Sequence, residues 1–89
     1  MSSTDTSVMA ASQGTFIVND TTEKTILHDA IVVLEDTVFE SIKIDGVDVT
    51  GEYVSDKGAT VKAGAIIRPT DARQFSAVCL TSGSVCLVL

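Results

Sequence analysis

Eighty-nine residues with twelve acidic and six basic side chains give a net charge of −6, which argues against binding nucleic acid or an anionic membrane. A chain this short buries only about 60–65% of its unfolded surface, yet 45% of its residues are apolar, and one histidine and two cysteines leave little scope for metal or disulfide support. Oligomerisation is therefore the expected stabiliser.

Residues 1–13 are mostly Ser, Thr, Ala and Met, without sustained periodicity, and are expected to form a flexible N-terminal arm. The Met1-Ser-Ser-Thr-Asp-Thr-Ser7 opening has no basic start or long apolar run, so synthesis in the cytoplasm is expected. No stretch approaches the roughly 20 apolar residues of a membrane span.

From Gly14 onward the pattern is that of β-structure. Thr15-Phe-Ile-Val18 is β-branched and aromatic and ends in the turn residues Asn19-Asp20. Lys24-Thr-Ile-Leu27 follows. Ala30-Ile-Val-Val-Leu34 is a continuous apolar run, as in a strand buried on both faces. In Thr37-Val-Phe-Glu-Ser-Ile-Lys-Ile44, Ile42 and Ile44 alternate with Ser41 and Lys43, which predicts one wet face. Residues 35–43 are the one stretch weighed as a helix, and their β-branched residues speak against it.

Asp45-Gly46 is a strong turn signal before Val47-Asp-Val-Thr50. Gly51 to Gly58 reads as a loop or short edge strand. Thr60-Val-Lys62 and Ala65-Ile-Ile-Arg68 are strand-like, and Pro69 ends the second or marks an edge. The last fifteen residues, Phe75 to Leu89, read as two apolar strands about a Ser82-Gly83 turn, with apolar side chains to the final position. Lys62-Ala-Gly-Ala-Ile-Ile67 echoes Thr81-Ser-Gly-Ser-Val-Cys86, and both are read as hairpin turns. Strands spaced every 8–12 residues predict an all-β fold, a small antiparallel sandwich or barrel over residues 14–89.

Chemistry is thinly represented. A two-residue turn at Ser82-Gly83 sets Cys79 opposite Cys86 in a hydrogen-bonded pair, where side-chain direction disfavours a disulfide; buried thiols are the expected state. His28 beside Asp29 lacks the company a metal site requires. Asp45-Gly-Val-Asp48 with Glu52 nearby departs from the calcium-loop pattern. No nucleophile–base pair, phosphate loop or aromatic platform stands out, so neither catalysis nor a cofactor is expected.

The succession Ala30-Ile-Val-Val-Leu34, Thr37-Val-Phe-Glu-Ser-Ile42, Lys62-Ala-Gly-Ala-Ile-Ile67 and Phe75-Ser-Ala-Val-Cys-Leu-Thr-Ser-Gly-Ser-Val85 resembles small tailed-bacteriophage virion proteins over residues 30–89. Some members are capsid decoration or cement proteins, commonly trimers that clamp neighbouring capsid subunits. The resemblance implies a homo-oligomer, a trimer first, that binds the major capsid protein on the outer surface of the virion. Ile66, Ile67, Val85, Leu87 and Leu89 are the expected apolar contacts. Arg68 and Arg73, in the least acidic part of the chain, are expected to meet acidic patches on the shell. The alternatives are a base, collar or oligomerisation module of a phage fibre or spike, and a ligand-binding barrel with an interior cavity.

Overall fold

A computed structural model of the protein describes residues 14–70 and 73–89. The expected N-terminal arm, residues 1–13, lies outside the described residues. The fold is all-β, two antiparallel sheets enclosing one core. The strands are β1 (Thr15–Val18), β2 (Ala30–Val33), β3 (Val38–Ile44), β4 (Val47–Asp48), β5 (Ile66–Ile67), β6 (Ala77–Ser82) and β7 (Val85–Val88). One sheet has the order β1-β7-β2-β5 and the other β4-β3-β6. The inner faces meet in a core that includes Val18, Ile31, Val33, Phe39, Ile42, Phe75, Val78, Leu80, Val85 and Leu87, all essentially inaccessible to water. Alternation along the strands aims most of these residues at the facing sheet; a shift in β3 between Phe39 and Ser41 brings Phe39 and Ile42 to the same face, and Phe75 enters from the segment before β6.

The β3–β4 hairpin turns at Asp45-Gly46 as the sequence predicts. Both residues take positive φ, 54° and 79°, the paired left-handed geometry of a tight hairpin turn. The segment expected as a loop or edge strand instead begins with one helical turn, α1 (Thr50–Tyr53). Its anchor is Thr50, whose buried hydroxyl accepts the Ile42 N–H (2.8 Å) and donates to the Asp48 carboxylate (2.5 Å). The bonds that the Thr50 hydroxyl and N–H donate to Asp48 hold its carboxyl below the usual range.

The C-terminal segment departs from expectation. Residues 75–89 do not form a hairpin: β6 pairs with β3 in the three-stranded sheet, whereas β7 lies between β1 and β2 in the four-stranded one. Ser82-Gly83-Ser84 is a corner that carries the chain from sheet to sheet. Gly83 takes φ +97°, and a Cβ there would collide with the Thr37 hydroxyl and approach Thr37 Cα to 2.6 Å and the Asp36 carbonyl to 2.7 Å. Around it the Leu34 N–H donates to the Ser84 carbonyl (3.1 Å) and the Ser84 hydroxyl to Glu35 (2.8 Å). The Gly64 turn also closes no hairpin. It leads from Val61, bridged to Thr37, onto the edge of β2 at Ile66 and Ile67.

This topology also separates the cysteines. Cys79 lies on the outer side of β6, 3.4 Å from the Thr21 carbonyl, and Cys86 on the outer side of β7. The two thiols therefore belong to opposite outer faces and both are free. Burial and the nearby Glu23 and Glu40 raise the Cys79 thiol above its ordinary pKa, as suits an inert side chain.

His28 is a core residue, fully buried against the Phe75 ring at 5.3 Å. Its Nδ1–H donates to the Ile26 carbonyl at 2.6 Å, while Nε2 is buried without a partner. Burial pushes its pKa below 6.5, against the opposing pulls of the Ile26 carbonyl and Asp29. The ring is thus neutral in the fold.

Two outcomes follow. Gly83→Ala adds a steric clash to a left-handed backbone and should cost about 2–4 kcal/mol, read as a lower denaturant midpoint. The contribution of neutral His28 is intact above pH 6.5 and is lost as pH falls from there toward its lower folded-state pKa. The slope can reach about 1.4 kcal/mol per pH unit. Melting curves between pH 7 and pH 5 should show this loss, and His28→Asn, which keeps a donor for Ile26, should flatten it.

Candidate interaction surface

The two outer faces differ in chemistry. On the three-stranded sheet, Glu40, Lys43 and Asp48 face solvent with Lys57 and Glu23 nearby. Lys43 pairs with Glu23 at 2.9 Å and Lys57 with Glu40 at 4.0 Å. Such exposed pairs contribute little to stability, but they keep this face wet.

The four strands of the other sheet contain no Asp, Glu, Lys, Arg or His. Register places Ile17 opposite Cys86, Cys86 opposite Val32, and Val32 opposite Ile66. The result is one apolar row across the full width of the sheet. The adjacent row is Thr15, Val88 and Ala30, and Leu34 continues the face beyond β2. Ile17, Leu34 and Ile66 are 48%, 47% and 58% exposed. Phe16, Leu27 and Val47 are exposed as well, so what makes this face a candidate contact surface is the grouping of its apolar residues, not their exposure alone. Charge lies at the margin, with Glu35 held by Ser84 and the exposed Arg68 just beyond β5.

The residues expected at an interface separate across this sheet. Ile66 and Arg68 are exposed on or beside its outer side. Ile67, Val85 and Leu87 do not belong to the exterior. They point inward and are buried by the chain's own second sheet, because β7 is a central strand whose alternate residues face the core. Leu89 is partly buried against that core and its N–H donates to the Gly14 carbonyl at 2.8 Å.

Arg73 is engaged within the chain. Its guanidinium donates to the Thr70 hydroxyl (2.7 Å) and carbonyl (3.2 Å), reaches the Tyr53 hydroxyl (3.5 Å) and lies 3.8 Å from Glu52. It staples the segment around Thr70 to α1, so its charge is largely committed.

Sequence reasoning passed over Ile17, Val32, Leu34 and Cys86. For Val32, Leu34 and Cys86 the signal was the unbroken apolar character of residues 30–34 and 85–89, which leaves no polar side for water; Ile17 lies in the short run Thr15-Phe-Ile-Val18. Which residues share a row depends on pairings between distant segments.

Among the described residues no pocket is found. No group of three or more His, Cys, Asp or Glu assembles as a metal site among them either. Comparison with protein-family models, curated proteins and solved structures finds no match to this chain.

Proposed function

We propose that this protein is a non-catalytic structural component of a phage virion, a decoration or cement protein. It self-associates and seats the outer face of its four-stranded sheet on the outside of the capsid, stabilising the shell. The observation that carries this reading is the uncharged apolar face running from Ile17 through Cys86 and Val32 to Ile66, on a chain of net charge −6. The motifs of residues 30–85 that resemble small virion proteins point the same way.

Size sets the mechanism. Four strands about 4.8 Å apart and four residues of about 3.3 Å give a face of roughly 250 Å² in plan. A stable standard interface takes about 800 Å² from each partner. One copy therefore binds weakly. Several copies joined together and docked on a repeating lattice bind with high avidity, because each later contact forms at raised effective concentration. Arg68 at the margin of the face supplies attraction to an acidic patch on the major capsid protein.

The test is co-sedimentation with capsids lacking their decoration. Wild-type protein should saturate the lattice, with electron-microscopic density over the whole shell. Ile66→Asp, at a position already exposed, should keep the circular dichroism spectrum and bind at least roughly tenfold more weakly, the loss expected from burying a carboxylate in an apolar contact. Equal binding by the variant, or no binding by the wild type, defeats the reading. Density confined to one symmetry axis would assign the protein to a fibre or spike base.

A further inference from the structure

We infer that two copies of this chain join through the edge of β1 along which no described segment runs, pairing antiparallel about a two-fold axis to make one continuous eight-stranded sheet. The inference names the surface for the self-association proposed above and rests on that reading.

The ladder shows which backbone groups are available. The Leu89 N–H donates to the Gly14 carbonyl (2.8 Å), and these residues extend the register in which Phe16 faces Leu87 and Val18 faces Val85. In an antiparallel ladder alternate pairs are hydrogen-bonded. Phe16 and Val18 therefore spend their backbone groups on β7, while Thr15 and Ile17 direct theirs away from the sheet. No described segment runs along that side of β1.

An open edge invites pairing, and proteins protect such edges by short strands, charge, proline, bulges or a covering segment. The other edges of this fold carry such devices. β5 is two residues long and is followed by Arg68 and Pro69. β4 is two residues long and ends in Asp48. β6 is covered at Val78 by Lys24, with bonds of 2.9 and 3.1 Å in the two directions. β1 has four residues, no charge, no proline and an unshifted register. The nearest acid, Asp20, is held by Lys24 at 3.0 Å, so little repulsion opposes the approach of a second copy.

A second copy fits this edge because the strand complements itself. With Phe16 opposite the partner's Phe16, Thr15 faces the partner's Ile17, and Ile17 the partner's Thr15. Both hydrogen-bonded pairs then use the outward-facing groups, giving four backbone bonds. The two Phe16 rings meet at the non-hydrogen-bonded position on the axis, where Cα atoms lie about 4.5 Å apart. Phe16 is 40% exposed in the single chain, and pairing covers it. Such an interface is isologous and closes at two copies, so it builds a dimer instead of the threefold assembly that the resemblance implies. Joining the sheets also doubles the apolar face to roughly 500 Å² in plan.

Sedimentation equilibrium without capsids tests the edge. Wild-type protein should approach twice the 9.3 kDa chain mass. Ile17→Pro removes a donor that points away from β7, a placement that an edge strand tolerates. Phe16→Glu sets two carboxylates face to face across the axis. Each should keep the β-sheet circular dichroism spectrum and weaken dimerisation by at least roughly tenfold, Ile17→Pro through the loss of two symmetry-related backbone bonds and Phe16→Glu through like-charge repulsion at the axis. Ile66→Asp, on the far edge, should leave the dimer intact. A dimer that survives both β1 substitutions overturns the edge while preserving self-association. A wild-type monomer at 100-fold above micromolar concentration overturns self-association itself, whatever the capsid assay shows.

Discussion

The fold depends on the last strand of the chain occupying the middle of a sheet. β7 takes hydrogen bonds from β1 on one side and β2 on the other, so the four-stranded sheet cannot close until residues 85–88 arrive. Their arrival is governed by the corner at Gly83, where the chain passes within contact distance of Asp36 and Thr37. The pairings of β7 with β1 join segments at opposite ends of the described chain. Closing such long loops is entropically costly before any contact compensates. This topology therefore predicts slow, highly cooperative assembly compared with a meander of local hairpins. It also explains why the end of the chain is so apolar. A central strand has no ladder side open to water, and Val85 and Leu87 fill the interior between the sheets.

The same arrangement partitions the chain's charge. The inner faces are filled with apolar side chains, so solubility must come from the outer faces and loops. One outer face carries Glu40, Lys43 and Asp48, and the loops carry most of the remaining acids. The strands of the other sheet carry no charge at all. Leaving Ile17, Leu34 and Ile66 in water forgoes about 25 cal/mol for each Å² of apolar surface that a partner would cover. The excess negative charge elsewhere keeps such a molecule soluble without masking the face. A two-sided module of this kind is suited to contact on one side and hydration on the other.

Much of this was legible in residue order. The all-β class, the Asp45-Gly46 turn and most strand positions follow from local chemistry, because β-branched runs and paired left-handed turn residues act over a few positions; the strand-like runs Lys24–Leu27 and Thr60–Lys62 form only single bridges, at Lys24 and Val61, and Val47–Thr50 keeps two strand residues. The corner at Gly83 was not legible. A small–Gly–small sequence between apolar strands suits a hairpin as well as a crossing between sheets, and the deciding contacts are with Asp36 and Thr37, more than forty positions away. The helical turn at Thr50 was hidden for a related reason, since Thr50 is fixed by a bond to Ile42 across the β3–β4 hairpin. The candidate surface lay between these cases. The lack of polar alternation in Ala30-Ile-Val-Val-Leu34 announced two apolar faces, but parity within β7 decided that Val85 and Leu87 face inward and Cys86 outward.

That parity has a further consequence for how such a small protein can afford an apolar exterior. The inner residues of β7, Val85 and Leu87, are buried by the chain's own second sheet. The outer residues stay in contact with water in the single chain, and on the proposed reading it is they that a partner would cover. Folding and docking thus draw on alternate residues of the same strand. A substitution at Val85 or Leu87 disturbs the core and, through it, the flatness of the face; one at Cys86 or Ile66 reaches the face and leaves the core in place. A face built on a hydrogen-bonded sheet is preformed, and on the proposed reading a preformed patch would lose little entropy on binding, which is the condition under which many small contacts can sum to a strong one.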